Sequence, residues 1–142
     1  MMNDRYLFRG KRLADSEWHV GNLAKTGQDH ENDKQGRYLR TVECFQIKPD
    51  RGSWQCVDPV TIGQCTGLRD KNGTLIFEGD VLTNPDWLND VKGIVKFGSE
   101  VCGFWIYWGT YYANTRDILF WANECSLEII GNIHDNENLM NN

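Results

Sequence analysis

The stretch T-I-G-Q-C-T-G-L-R-D-K-N-G-T-L-I-F-E-G-D-V-L, Thr61–Leu82, decides the fold. Strand-forming residues flank Asn72-Gly73, a dipeptide that accepts positive φ at both central positions of a type I′ turn. We therefore predict that Leu68–Ile76 forms an antiparallel hairpin. Glu78-Gly79-Asp80 then bends the chain into a third extended segment, and a hairpin that turns a corner is typical of small barrels and sandwiches.

Extended segments with strand-like composition lie on both sides of this hairpin. They are Arg5–Leu13, Glu17–Leu23, Thr41–Lys48, Trp54–Val57, Gly93–Phe97, Gly103–Trp108 and Leu127–Ile133. Residues 24–38 have little apolar content and no periodicity, so we expect a polar surface loop there. The best helix candidate is the segment 115–123, and Glu137–Met140 is either a second short helix or a frayed end.

The fold class that this pattern favours is mainly β. We expect a small barrel or sandwich of antiparallel hairpins with one or two short helices. A length of 142 residues fits a single domain, 1–142. Within it, residues 1–58 would form N-terminal β-hairpins with the polar loop 24–38, and residues 59–142 a barrel-like β core with a short helix near 115–123.

Charge and cysteine usage indicate a soluble protein of a reducing compartment. The net charge is −5 and the sequence pI about 5.1, which opposes a protein whose main task is to bind phosphate backbones. No run approaches the about 18 apolar residues of a membrane helix, and the start lacks the layout of a signal peptide. Five widely spread cysteines are typical of free thiols. We expect a cytoplasmic protein without a membrane partner.

Motifs of catalysis, cofactor binding and metal binding are absent from the sequence. It has no C-x-x-C or H-x-x-x-H pair, no phosphate-binding glycine loop and no G-x-S-x-G elbow. We expect no metal, no cofactor and no enzyme activity. One catalytic alternative stays open: Glu78 and Asp80 would share a face of a continuous strand, where paired carboxylates act as acid and base. Gly79 favours a turn instead, in which Asp80 binds backbone N–H groups.

Positive charge concentrates near the N-terminus at Arg5, Arg9, Lys11 and Arg12, with Tyr6 and Phe8 interleaved. Small barrels use such strand faces to hold single-stranded nucleic acid, with cations on phosphates and aromatic rings on bases. Strand alternation, however, puts these aromatic residues opposite most of the cations. A solvated edge strand protected by charge is therefore the more common explanation.

A surplus of aromatic residues marks the segment from Phe104 to Trp108 and continues at Tyr111-Tyr112. Alternate residues of a strand point to opposite faces, so one small core cannot receive all of them. The candidate interface for self-association comprises Trp105, Tyr107, Tyr111, Tyr112 and Trp121. The alternative is that the helix near 115–123, which also offers Ile118 and Phe120, covers the surplus within one chain.

Three blocks resemble the YopX family, small proteins encoded by bacterial phages and prophages. They are R-Y-L-F-R-G-K-R with the nearby Glu17-Trp18 and Gly21-Asn22-Leu23; T-G-L-x-D-x-N-G-x-x-I-F-E-G-D-V-L within Thr61–Leu82; and E-I-I-G-N-I-H-D-N at Glu128–Asn136. The resemblance implies a mostly β fold with barrel-like curvature in the cytoplasm of a bacterial host. It implies no activity, because the family has no established function or catalytic residues.

The function that we infer first is a non-enzymatic phage or prophage accessory protein, a β-rich binding or assembly module. Its expected partners are a second copy of the chain, as a homo-oligomer, and an unidentified phage or host protein. The second interpretation is a small barrel that binds single-stranded nucleic acid through the basic N-terminal hairpin. The third is an enzyme built on Glu78 and Asp80.

Overall fold

The computed structural model describes residues 4–87, 91–98, 101–109 and 117–141. In these ranges the protein is mainly β, with ten strands and one short α-helix. The chain divides into two compact units. The N-terminal unit is Tyr6–Gly63, and the C-terminal unit comprises Met1–Arg5 and Gln64–Asn142. The mainly β prediction is confirmed.

The N-terminal unit contains an antiparallel sheet in the order β4-β3-β2-β1. Its strands are β1 (Phe8–Lys11), β2 (Trp18–Asn32), β3 (Tyr38–Lys48) and β4 (Gln55–Val57). Strands β3 and β4 pair antiparallel, with Phe45 opposite Val57. The expected strand from Arg5 starts later, because Asp4–Tyr6 is a single turn of 3-10 helix.

The core of this unit is small and lies where its four strands meet. The side chains of Ile47 and Val57 are fully buried. The Oγ1 of Thr61 is also inside, where it accepts a hydrogen bond from the backbone N–H of Lys11 at 2.9 Å. Thr61 ends a 3-10 turn that starts after Asp58, whose carboxylate accepts from the N–H of Val60 at 3.1 Å. This turn is thereby linked to β1 through Lys11.

The expected polar loop at residues 24–38 is wrong. Strand β2 continues to Asn32, β3 starts at Tyr38, and the two pair along almost their whole length. The turn between them is only residues 33–37. Alternation of apolar and polar residues is missing because neither face of this part of the hairpin is buried: residues 25–41 are exposed apart from Asp33. We call residues 24–44 the ribbon.

The C-terminal unit contains a hairpin and a second antiparallel sheet. Strands β5 (Gly63–Arg69) and β6 (Leu75–Phe77) form the hairpin. The sheet has the order β10-β7-β8-β9. Its strands are β7 (Asp80–Thr83), β8 (Lys92–Gly98), β9 (Gly103–Tyr107) and β10 (Glu128–Asn132).

The predicted hairpin around Asn72-Gly73 is confirmed, but its turn type is not the expected one. Only Gly73 has a positive φ, +82°, whereas a type I′ turn needs a positive φ at Asn72 as well. The Oδ1 atom of Asp70 accepts hydrogen bonds from the N–H groups of Asn72 at 2.9 Å and Thr74 at 3.0 Å. This carboxylate therefore fixes a longer loop, in which one left-handed residue suffices.

The core of the C-terminal unit combines the sheet with the helix α1 (Ile118–Glu124). The helix begins after Asp117, whose Oδ1 accepts from the N–H of Phe120 at 2.8 Å. Ile118 and Trp121, three residues apart, are buried on its inner side. The predicted helix is confirmed over residues 118–123, and its expected first residues lie outside the described ranges.

The barrel expectation is corrected by the strand order. Within the described residues, the sheet of the C-terminal unit ends at β10 on one side and at β9 on the other, so it is open.

Arg5 and Gln64 directly precede and follow the N-terminal unit in the sequence, and both belong to the C-terminal unit. The Nε2 of Gln64 donates to the backbone oxygen of Arg5 at 2.9 Å.

Candidate functional surfaces

The acidic turn at Glu78-Gly79-Asp80 is a structural corner. Asp80 is only 2% exposed, and its Oδ2 accepts a hydrogen bond from the N–H of Phe77 at 2.8 Å. Gly79 has a φ of +90°, and its N–H donates to the oxygen of Val95 at 2.9 Å. Desolvation by burial raises the pKa of Glu78 above its usual range. The turn interpretation is confirmed, because Asp80 is buried and binds a backbone N–H group.

A second buried carboxylate, Asp70, was not singled out from the sequence as a structural link. It is 8% exposed, and its Oδ2 accepts from the N–H of Ile129 in β10 at 3.1 Å. The N–H of the next residue, Lys71, donates to the oxygen of Leu127 at 2.8 Å. An aspartate two residues before Asn-Gly is a signal for the turn. No local pattern reveals a partner that lies 59 residues away.

A shallow pocket of about 220 Å³ lies beside Asp70. Its lining is Arg69, Asp70, Lys71, Ala122, Cys125, Ser126 and Leu127. Its two cations have carboxylate partners: Arg69 pairs with Asp4 at 3.2 Å and Lys71 with Glu128 at 3.1 Å. The pocket therefore has little uncompensated charge with which to attract an anion.

Neither a metal cluster nor a membrane helix was found in the described part of the chain. No group of three or more histidine, cysteine or acidic side chains in those ranges lies close enough to hold a metal ion. None of the helices described is long and apolar enough to cross a membrane.

The four predicted basic residues fall into different units. Arg5 belongs to the C-terminal unit, and Arg9, Lys11 and Arg12 to the N-terminal one. The guanidinium of Arg9 lies 4.8 Å from the ring centre of Trp18, and the ammonium of Lys11 lies 5.4 Å from it. These cations cover the aromatic ring nearest to them, which disfavours its use as a stacking surface for bases.

The fourth residue, Arg12, is committed to neighbouring side chains. It forms an ion pair with Asp15 and donates to the Oε1 of Gln55 at 3.2 Å. The hydrogen bond from Arg12 lowers the pKa of Asp15 to about 2. The cation is therefore neutralised locally, which weakens the basic face further as a phosphate-binding surface.

Two of the predicted interface residues lie on one partly exposed face of the C-terminal sheet, with Trp105 half-buried. Lys96 pairs in register with Trp105, and Ile94 with Tyr107, so these four side chains share one face, which we call the outer face of β8–β9. The Nζ of Lys96 lies 4.7 Å from the ring centre of Tyr107 and 5.9 Å from that of Trp105. Tyr107 is 38% exposed. This face carries aromatic surface together with the positive charge of Lys96.

Trp121 is corrected to a core residue. It is 8% exposed, and its ring centre lies 5.6 Å from that of Trp108 and 5.8 Å from that of Trp87. Helix α1 therefore covers the inner face of β8–β9, as the single-chain alternative proposed, but not the outer face. The remaining two predicted interface residues, Tyr111 and Tyr112, lie outside the described residues.

The ribbon is a surface that sequence reasoning missed. It exposes 61% of Tyr38 and 56% of Leu39, unusual values for large apolar side chains. Its formal charge is zero, because four cations balance four anions: Lys25, Lys34, Arg37 and Arg40 against Asp29, Glu31, Asp33 and Glu43. The run Y-L-R-T-V-E-C-F at residues 38–45 is rich in strand formers. Its first three residues could therefore have indicated that the strand starts before Thr41.

The protein is thus rich in β-strands, and Asp70 and Asp80 stabilise turns between them. Its ribbon and the outer face of β8–β9 carry aromatic and apolar side chains. A family model described as YopX protein matches residues 7–141, and the chain belongs to the YopX family. Among solved structures, the protein EF1440 from Enterococcus faecalis is similar, with 21% identity and a TM-score of 0.49 over 94% of this chain and 96% of that one. No curated protein matches the chain.

Proposed function

We propose that this protein is a non-enzymatic binding and assembly module that associates with itself. The observation that carries the proposal is the outer face of β8–β9. Trp105 and Tyr107 lie there on the strand at the edge of the sheet, opposite the core that α1 covers. Exposed aromatic surface beyond the needs of the core is typical of protein interfaces.

The distribution of carboxylates supports a non-enzymatic role. Asp70 and Asp80 both accept hydrogen bonds from backbone N–H groups. A catalytic carboxylate needs access to the substrate, and both of these are buried. Glu78 and Asp80, the acid pair suggested by the sequence, both belong to the corner before β7, where Asp80 binds the N–H of Phe77.

Membership of the YopX family supports an origin in a phage or prophage. On that basis we propose an accessory protein that acts in the cytoplasm of the bacterial host. Its second partner would be another phage or host protein that binds the assembled form. The acidic net charge favours a protein partner over a nucleic acid.

Light scattering after size-exclusion chromatography tests the self-association. We expect a mass that is a multiple of the 16.4 kDa of one chain at micromolar concentration. Tyr107→Ser should weaken the association, because it removes aromatic area from the outer face. Leu119→Ser, at an exposed position of α1, is the matched control and should leave the mass unchanged. A constant mass of one chain over a wide concentration range contradicts the proposal.

A further inference from the structure

The outer face of β8–β9 is poorly suited to bind a copy of itself. The ammonium of Lys96 lies over the rings of Tyr107 and Trp105, and within the described residues it has no carboxylate partner. A two-fold contact of this face with itself would bring two Lys96 side chains into one desolvated patch. Like charges that meet in an interface repel each other, so the cover should instead carry a carboxylate.

One face of the ribbon has that chemistry. Asp29 lies opposite Val42 in the β2–β3 register, and Glu31 lies opposite Arg40 two residues along, so these four side chains share a face. Leu39 lies at the register shift between Tyr38 and Arg40 and is exposed. This face has two acidic residues and one basic residue, and therefore complements a lysine.

Asp29 is the acidic residue of the ribbon for which the described residues provide no ion pair. The three others are engaged in ion pairs: Glu31 with Arg40, Asp33 with Arg37, and Glu43 with Lys25. Asp29 is exposed, and in the ranges that the structure describes its carboxylate accepts only from the N–H of its own neighbour, His30. Its charge is available to a partner.

The tip of the ribbon is ordered by its own hydrogen bonds. The Oδ1 of Asp33 accepts from the N–H groups of Gln35 at 2.9 Å and Arg37 at 2.8 Å. These bonds lower the pKa of Asp33, with the one from the Arg37 backbone as the largest cause. A preorganised tip loses little conformational entropy when it binds.

We infer that the ribbon of one copy docks on the outer face of β8–β9 of a second copy, with Asp29 against Lys96 and Leu39 against Tyr107. The inference rests on the self-association proposed above and names the surfaces that mediate it. A single contact of this kind would leave one ribbon and one outer face unused in each pair of chains, so we infer a reciprocal exchange that gives a closed two-fold dimer.

Charge reversal on both sides tests this pairing by light scattering and by the dissociation constant from analytical ultracentrifugation. Asp29→Lys and Lys96→Glu, each alone, should weaken the dimer about tenfold, because each places like charges together in two symmetric contacts. The double variant should recover most of the wild-type affinity. Lys34→Glu, the same charge change on the exposed turn of the ribbon, is the matched control and should have no effect.

A pair of apolar substitutions tests which ribbon face docks. Leu39→Ser should weaken the dimer about tenfold through loss of an apolar contact. Tyr38→Ser should not, because the ring of Tyr38 packs on His30, 5.5 Å between ring centres, on the opposite face. Far-UV circular dichroism verifies that each variant remains folded.

The outcomes separate this inference from the proposed function. A wild-type protein that is monomeric at all concentrations refutes both. A wild-type oligomer that Asp29→Lys and Leu39→Ser leave unchanged refutes the ribbon contact and retains self-association. Lys96→Gln discriminates further: it weakens a ribbon-mediated dimer but strengthens a contact of the outer face with itself, and the latter result overturns the inference.

Discussion

Aspartate side chains in this protein mostly serve its own backbone. Asp33, Asp58, Asp70, Asp80 and Asp117 each accept at least one hydrogen bond from a main-chain N–H group at a turn or a helix start. Such bonds satisfy donors that strands and helices leave unpaired at their ends. The excess of acidic over basic residues therefore has a structural cause at several positions.

Glu78 differs because burial opposes its charge. Its pKa is raised by desolvation, so at a pH between its usual and its raised value the folded protein holds a proton that the unfolded chain releases. Unfolding then releases protons, and the stability falls as the pH rises through this window. We expect Glu78→Gln to be more stable than the wild type at pH 7 and equally stable near pH 4.

Urea unfolding at the two pH values measures this difference. Glu137→Gln, at an exposed position, controls for the loss of one negative charge. A Glu78→Gln variant that is less stable than the wild type at pH 7 would show that the carboxylate stabilises the fold through its contacts.

At the scale of elements, Asp70 connects the β5–β6 hairpin to β10. One carboxylate oxygen closes the hairpin loop and the other binds the N–H of Ile129. We expect Asp70→Ala to lower the free energy of unfolding by about 3 kcal/mol, because buried N–H groups lose their acceptor. Asp70→Asn keeps one acceptor oxygen and should cost about 1 kcal/mol.

Denaturant unfolding followed by tryptophan fluorescence measures both variants. Asp86→Ala, at an exposed turn position, should change the stability by less than about 0.5 kcal/mol. If Asp70→Ala changed the free energy of unfolding as little as Asp86→Ala does, the link between the hairpin and β10 would not contribute to stability.

Elements with one buried face were predictable from sequence, and elements without one were not. The hairpin at Asn72-Gly73 and helix α1 combine a local turn or cap with apolar residues at the right period. The ribbon lacks that period because both its faces meet water, and its strands are fixed by cross-strand pairs such as Lys25 with Glu43. The outer face of β8–β9 was predictable from surplus aromatics, but the burial of Trp121 depended on tertiary packing.

For the whole molecule, the cysteines give a readout of folding. Cys56 and Cys102 are exposed, whereas Cys65 is fully buried and burial raises the pKa of its thiol. We expect Cys56 and Cys102 to react first with a thiol reagent in the folded protein and Cys65 to react last, since the thiolate is the reactive form. Unfolding without reductant should expose five thiols, the number in the sequence.

With a thiol reagent that releases a coloured group on reaction, absorbance measures both the fast reaction of the exposed cysteines and the slow reaction of the buried one. Cys65→Ala should lower the total by one and leave the fast phase unchanged. A total below five in denaturant would reveal a disulfide, and a fast reaction at Cys65 would show that its site opens to solvent.

The hydrogen bond between Gln64 and Arg5 has a consequence for the order in which the protein is made. Because these residues border the N-terminal unit and meet in the C-terminal one, Tyr6–Gly63 is an insertion into the other unit. On the ribosome the inserted unit is complete before Gln64 is synthesised, while Asp4 and Arg5 still lack their partners. The unit that carries the ribbon is therefore synthesised in full before the strands of the C-terminal sheet, so it can start to fold before that sheet exists.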